Sequence, residues 1–262
     1  MKQPQSPIDT AKFAAAKRAA AYVTNGMKVG LGTGSTADWL VRCLAERMKT
    51  EGLSFTGVPT STETANLATE LGVPITTLDE ARWLDLTIDG ADEYDRELNL
   101  IKGGGGALLQ EKIVATASDR MIVIADATKK VETLGAFPLP VEVIPFGMKT
   151  TKRLLEEMLE GLEVMGYTGK FRMKGDQYFV TDEGNHIIDL KLGRIGNARQ
   201  LSLILNQVPG VVENGLFIDI CDVIVTGHGD GRVEMRDINS GEMEVSQMSS
   251  KSDDNVFLDI VD

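Results

Sequence analysis

The chain is poor in the residues that most metal and nucleophile chemistry needs. Only two of its 262 residues are histidine, His186 and His228, and neither has ligand-like spacing, which excludes a zinc site of ordinary design. Only two are cysteine, Cys43 and Cys221. They form no CxxC pair and sit among apolar residues, so a disulfide framework is excluded and buried reduced thiols are expected. No G-x-S-x-G elbow and no Cys–His arrangement stands out. Positive charge is short too: 27 Lys and Arg against 39 Asp and Glu give a net charge of −12 and a pI near 4.7. That excludes nucleic acid as a partner, because binding a phosphate backbone takes a basic surface. It also means that an anionic ligand must be drawn by a local group of lysines against the overall field. No apolar run is long enough to span a bilayer, and the opening MKQPQSPIDT has no apolar core of a signal peptide, so no membrane partner and a cytoplasmic location are expected.

What is present is an ordinary globular composition, 42% hydrophobic and 25% charged, in a length that suits one large domain or two modest ones. The first half alternates strand and helix patterns. AKFAAAKRAAAYV (11–23) reads as helix, MKVGLGTGSTA (27–37) as a strand entering a glycine-rich turn, and 37–48 as a helix with Trp39, Leu40, Cys43, Leu44 and Met48 on one face. FTGVPT (55–60) reads as a strand. Thr60 and Glu63 have the spacing of a capping box before a helix ending near Leu71. VPITTL and LDLTIDG (84–90) are strand-like, 107–117 is helical and MIVIADA (121–127) is a buried strand. This rhythm predicts an α/β fold, a mostly parallel sheet with helices on both faces. Near residue 136 the order becomes β-α-β-β-α-β, the ferredoxin-like pattern, which marks 136–215 as a smaller inserted α+β domain. The strand at 218–227 then returns to the main sheet. From Val233 the chain is acidic, either a solvated arm or, through VFLDIV (256–261), a segment docked on a sheet edge.

Three clusters can carry chemistry. GLGTGST (30–36) follows a strand and opens a helix, but it lacks the third glycine of a dinucleotide fingerprint, Ser35 standing there, and the lysine of a P-loop. What remains is either an anion site made of backbone N–H groups and the hydroxyls of Thr33, Ser35 and Thr36, or a tight turn with a hydroxyl cap. TIDGADEYD (87–95) ends a strand, where ligands of open parallel sheets bind. Its Asp89, Asp92 and Glu93 are read as a crowded group suited to acid–base work, as a hard-cation site, or as a solvated turn. KGGGGALLQEK (102–112) is the least ordinary. Four glycines in a row let a backbone approach a ligand and present several N–H groups, although each weakens regular structure by about 1 kcal/mol. Glu111, one turn into the helix that follows, has Ala107, Leu108, Val114 and Ala115 as its helical neighbours. An uncharged, partly small row predicts a desolvated carboxylate, pushed upward in pKa and suited to act as a base. The alternative is a surface glutamate paired with a lysine.

Together, GLGTGST, IDGADE and KGGGGALLQEK, in that order, resemble type A ribose-5-phosphate isomerase, and IVIADATKKV (122–131), FPLPVEVIP (137–145) and NQVPGVVENGLF (206–217) extend the likeness over residues 8 to 232. The resemblance implies a Rossmann-like domain from 1–135 and 216–262, the last part being the acidic extension 233–262, with the ferredoxin-like lobe 136–215 inserted. It implies interconversion of ribose 5-phosphate and ribulose 5-phosphate in the pentose phosphate pathway, with no cofactor and no metal, by a homodimer or homotetramer. It makes Glu111 the general base, gives Asp89 and Asp92 the sugar hydroxyls, and gives Lys102 and the N–H groups of Gly103, Gly104 and Gly105 the enediolate. Gly90 and Ala91 would also face substrate. Thr33, Gly34, Ser35 and Thr36 would hold phosphate, with Lys129 nearby and Lys12 in the place of a phosphate-contacting lysine. The family pattern is expected to end near GHGDGRV (227–233), so nothing carries over to the tail, which is read as an oligomer contact or a regulatory arm. Three rivals stand beside this reading: a coenzyme A transferase with a nucleophilic glutamate, a sugar-phosphate-sensing regulator, for which no basic helix-turn-helix segment is apparent, and a metal-dependent hydrolase using the Asp cluster.

Overall fold

A computed structural model of the chain describes residues 3–248 and 257–259. In chain order the main elements of the first half are α1 (Pro7–Ala20), β1 (Lys28–Leu31), α2 (Ser35–Thr50), β2 (Thr56–Pro59), α3 (Thr62–Glu70), β3 (Leu86–Gly90), α4 (Leu108–Thr116) and β4 (Met121–Asp126). There follow β5 (Leu139–Val143), α5 (Met148–Leu159), β6 (Thr168–Phe171), β7 (His186–Lys191), α6 (Ala198–Leu205), β8 (Val211–Asn214), β9 (Val223–Gly227), β10 (Arg232–Asp237), β11 (Met243–Met248) and β12 (Phe257–Asp259). They form two compact units.

The first unit takes the chain up to Gly90, Ile113–Lys129 and the chain from Ile220 onward. It is Rossmann-like. Its eight-stranded sheet has the order β12-β11-β10-β9-β4-β3-β1-β2, parallel from β2 to β9 and antiparallel beyond. All six residues of β4 are buried, as expected of a central strand covered on both faces. The α1 helix starts earlier than the alanine run suggests. Ser6 accepts a hydrogen bond from Asp9 N–H and Pro7 stands in the first turn, where its missing N–H costs nothing. Six alanines of α1 are buried, which lets the helix backbone lie close to its neighbours. Its last carbonyl, that of Ala20, accepts from the Arg47 guanidinium of α2 at 2.5 Å. The buried face of α2 carries Trp39, Leu40, Cys43 and Leu44, and Met48 packs half-buried beside it. Burial pushes the Cys43 thiol up to about 12, so that it stays a protonated apolar filler. Cys221 is likewise free and buried.

Two local readings fail here. The cap of α3 is Ser61, one residue later than the Thr60–Glu63 spacing implies, and it accepts from Thr64 N–H. VPITTL contributes only a single bridge, Ile75 to Gly57, because Thr77 already caps a helical turn, Leu78–Ala81, in a full capping box with Glu80. The acidic tail, as far as it is described, forms strands of the main sheet with a turn at 238–240. Glu244 on β11 receives Arg18 Nη2 on both carboxylate oxygens, at 2.7 and 2.8 Å, and β12 pairs with β11 at the sheet edge. The remainder of VFLDIV, Val256, Ile260 and Val261, lies outside the described residues.

The second unit comprises Ala91–Lys112 and Lys130–Asp219. Its four-stranded sheet has the order β8-β5-β7-β6 with every pair antiparallel, the ferredoxin-like arrangement. Leu139, Val141 and Val143 of β5, Ile188 and Leu190 of β7, Leu155 and Leu159 of α5, and Leu201 and Leu205 of α6 make its core. A small antiparallel sheet of Leu216–Phe217, Leu100–Ile101 and Glu93–Tyr94 belongs to the same unit and leads directly into Lys102.

Candidate active site

In the first unit the turn after β1 is built around Asp89. A Cβ on Gly32 would lie 2.0 Å from Asp89 Oδ1, so only glycine lets the turn pass over the end of β3. Asp89 is fully buried and accepts from Thr33 N–H at 3.1 Å and from Gly90 N–H at 2.6 Å. Gly34 then takes φ +100°, a backbone region that side chains disfavour, and opens α2 without a side-chain cap. The first-turn N–H groups therefore face outward at the positive end of a sixteen-residue helix. Exposed Ser35 stands there and its Oγ accepts from Lys12 Nζ at 2.9 Å. Lysine, hydroxyl and helix terminus thus converge, which is the donor set of an anion site.

The Thr33 hydroxyl points the other way. It bonds Thr60 Oγ1 and Ser61 Oγ at 2.8 Å and Thr64 Oγ1 at 3.3 Å. Thr60 and Thr64 in turn donate to the carbonyls of Leu31 and Gly32. This hydroxyl cluster fixes the turn from beneath. Thr33, Thr60, Ser61 and Thr64 were visible in the sequence, but nothing in their spacing told that they meet. Lys129 ends a 3₁₀ turn after β4 and is half-buried.

In the second unit, the glycine run wraps a buried ion pair. Lys102 and Glu111 are 2% and 3% exposed, and Lys102 Nζ lies 3.3 Å from Glu111 Oε2. The small, uncharged helical neighbours of Glu111 do foretell its burial. They miss Lys102, which reaches it from nine positions earlier across the turn. The Phe217 ring covers the lysine, with Nζ 5.3 Å from its centroid. Lys112 stands at 4.9 Å from the same ring and donates to Glu213 and to the Asn214 carbonyl; burial holds its pKa below the ordinary lysine value. Gly103 adopts φ +99° and Gly106 N–H closes the turn on Gly103 O at 3.0 Å. Gly104 N–H donates to Asp92 Oδ2 at 2.7 Å, and a Cβ there would meet Asp92 Oδ1 at 2.6 Å.

The acidic motif does not act as one crowd. Glu93 accepts from Gly135 N–H and Phe137 N–H at 2.7 and 2.5 Å and so ties loop backbone. Among the described residues no group of three acidic, histidine or cysteine side chains is placed to hold a metal ion. Nor, among them, is any helix long and apolar enough to cross a membrane.

The second unit thus holds buried opposite charges at a glycine turn, and the first an uncapped helix terminus with a lysine. Residues 56–231 match the family model described as ribose 5-phosphate isomerase A (phosphoriboisomerase A). The chain is 69% identical over 257 residues to the ribose-5-phosphate isomerase A of Ruegeria pomeroyi, covering 98% of each. Among solved structures it resembles ribose 5-phosphate isomerase A of Methanocaldococcus jannaschii, with a TM-score of 0.79 and 41% identity over 86% of this chain and 97% of that one. It also resembles a D-ribose-5-phosphate isomerase solved in complex with phospho-erythronic acid, with a TM-score of 0.79, 39% identity and the same coverage. The class so defined is an enzyme, an aldose–ketose isomerase. The chain belongs to the ribose 5-phosphate isomerase A family.

Proposed function

We propose that the chain interconverts D-ribose 5-phosphate and D-ribulose 5-phosphate through an enediolate, with Glu111 as the general base. The observation that carries this reading is the buried Lys102–Glu111 pair at the glycine run. A carboxylate kept from bulk water beside a cation can take a carbon-bound proton and hold it without losing it to solvent. In the open-chain aldose, Glu111 removes the C2 proton while the C1 carbonyl oxygen gains negative charge. The same carboxyl then returns the proton to C1. The O2 hydroxyl proton moves to O1, leaving a ketone at C2 and an alcohol at C1, so that no external acid or oxidant is consumed. Lys102 and the glycine N–H groups not spent within the turn stabilise the oxyanion, and one such preorganised donor contributes about 10²- to 10³-fold in kcat. Asp89 and Asp92 manage the sugar hydroxyls and ring opening, each fixed by backbone N–H groups. Gly90 and Ala91 pass along the substrate.

The phosphate is assigned to the first turn of α2, Gly34, Ser35 and Thr36, while Thr33 braces that turn from beneath, its N–H on Asp89 and its hydroxyl on Thr60 and Ser61. Lys12 and Lys129 supply charge. The ligand of one solved relative, phospho-erythronic acid, supports a sugar-phosphate substrate. It is a four-carbon phosphorylated acid, and its planar carboxylate carries charge where a five-carbon enediolate would. Assembly as a homodimer or homotetramer is proposed on the resemblance alone.

The test is conversion of ribose 5-phosphate to ketopentose with EDTA present, wild type against Glu111→Gln. The substitution keeps shape and removes the base. We expect wild-type turnover and a loss of about 10³-fold or more in the variant with its fold intact. A Glu111→Gln enzyme nearly as active as wild type would overturn the assignment and turn attention to Asp89 and Asp92.

A further inference from the structure

The glycine run is not left to hold its own shape. Arg172 lies between β6 and a short hairpin of the inserted lobe (Met173–Lys174 and Gln177–Tyr178), and its side chain reaches back to the run. One edge of the guanidinium is spent on Asp189 of β7, with Nε 3.0 Å from Oδ2 and Nη2 2.5 Å from Oδ1. This two-point pairing fixes the plane of the fork. The remaining nitrogen, Nη1, then donates to the carbonyl of Gly103 at 2.7 Å and to that of Gly104 at 3.0 Å. The arginine backbone is fixed as well, its N–H bonding Ile187 O and its carbonyl accepting from Phe179 N–H. The Phe179 ring lies beside the guanidinium and fills the space where Gly106 has no side chain.

A peptide unit is planar, with its C=O and the next N–H pointing in opposite directions. Holding the Gly103 carbonyl therefore aims Gly104 N–H, which meets Asp92 Oδ2 at 2.7 Å. Holding the Gly104 carbonyl aims Gly105 N–H away from Arg172. That N–H has no partner among the described residues and Gly105 is exposed. Four glycines in sequence have the widest backbone freedom of any run, so an unheld loop would present these donors in many orientations. A cation at the carbonyl end also polarises each peptide, making its N–H end more positive.

We infer that Arg172 is a positioning residue for the isomerase reaction: it sets the peptide planes of Gly103–Gly105 so that Gly105 N–H is presented to the developing oxyanion. This rests on the proton-transfer reading above. Arg172 touches no substrate; it acts through the loop. A misplacement of about 1 Å in such a donor can cost around 10²-fold in rate.

The experiment measures kcat, KM and thermal unfolding for Arg172→Ala, Arg172→Lys and Glu111→Gln side by side. In Arg172→Ala we expect kcat to fall by about 10- to 100-fold with KM changed by less than about threefold, because the lost interaction matters in the transition state. Guanidinium chloride at low, non-denaturing concentration should restore part of that activity, while sodium chloride at equal ionic strength should not. Arg172→Lys should fall between, since an ammonium cannot keep both Asp189 contacts and both carbonyls. If Arg172→Ala keeps wild-type kcat while Glu111→Gln is inactive, the inference fails and the proton-transfer reading stands. If both variants keep wild-type kcat, the reading itself fails. A loss of activity that guanidinium does not reverse, and that tracks a lowered unfolding temperature, would reduce Arg172 to a structural tie and overturn the inference.

Discussion

The two glycine-rich turns handle charge in opposite ways. The turn at Gly32–Thr36 keeps its donors at the surface: Ser35 is exposed, Lys12 is half-buried, and the helix terminus is left uncapped. The turn at Gly103–Gly106 sinks its charges, with Lys102 and Glu111 both nearly inaccessible. Holding a phosphate needs donors that a charged group can reach, and such contacts tolerate water. Moving a carbon-bound proton needs a carboxylate sheltered from water, and two buried charges are tolerable only as a pair, since each alone would cost several kcal/mol. On the proposed function the difference is one of task, and substitution should separate the two by which kinetic constant moves.

Among substitutions that leave every charge in place, the largest effect is expected where the Gly103–Gly106 turn is crowded. In Gly104→Ala the new Cβ would lie 2.6 Å from Asp92 Oδ1 and 2.9 Å from Oδ2. The carboxylate must swing away and lose the Gly104 N–H. We expect kcat to fall by about 10²-fold with the unfolding temperature nearly unchanged, because Gly104 is exposed and supports no core. Steady-state kinetics beside a thermal melt would decide it, and an unchanged kcat would show that the Asp92–Gly104 contact is dispensable.

The exposed turn should answer through affinity. Lys12→Ala removes the ammonium from Ser35 and leaves the helix terminus intact. A charge-assisted hydrogen bond of this kind contributes about 1.5 to 3 kcal/mol, so KM should rise by about tenfold or more with kcat little changed. Since the group is solvent-facing, the wild-type advantage should shrink as salt is raised. A fall in kcat with constant KM would contradict the division of labour drawn here.

The contrast also explains what the sequence could and could not convey. The central strands and the β-α-β-β-α-β lobe were legible because period and order are local properties of the chain. The burial of Glu111 was legible for the same reason, from Ala107, Leu108, Val114 and Ala115. What escaped were meetings across turns. Lys102 reaches Glu111 over the glycine run, Thr33 meets Thr60, Ser61 and Thr64 through sheet pairing, and Arg172 comes to Gly103 from 69 positions away. Glu93 was read as a member of an acidic crowd because its neighbours in sequence are acidic, whereas its partners are the backbone of Gly135 and Phe137. A cap can also mislead by one residue, as Thr60 and Ser61 do, when two hydroxyl residues stand side by side.

The smallest effect concerns another buried carboxylate, Glu142, which forms no ion pair among the described residues. Glu142, next to the last residue of β5, is fully buried; its Oε1 accepts from Thr181 Oγ1 at 2.9 Å and Asn185 Nδ2 at 3.0 Å, and Oε2 has no hydrogen-bond partner among the described residues. Burial is the largest cause that raises its pKa above the ordinary value of 4.5, with Glu183 and Glu213 adding repulsion and the two hydrogen bonds opposing. Folding therefore binds a proton between the ordinary and the raised value, and stability falls as pH rises through that window. Below the window the side chain is neutral in both states and costs nothing of this kind. Above it the folded chain carries a buried, unpaired negative charge. Glu142→Gln cannot carry that charge, so its unfolding temperature relative to wild type should rise as pH is raised through the window and level off above it, with kcat within about twofold. Melts at a series of pH values would read this directly. A constant difference across the series would mean that Glu142 titrates normally in the folded protein.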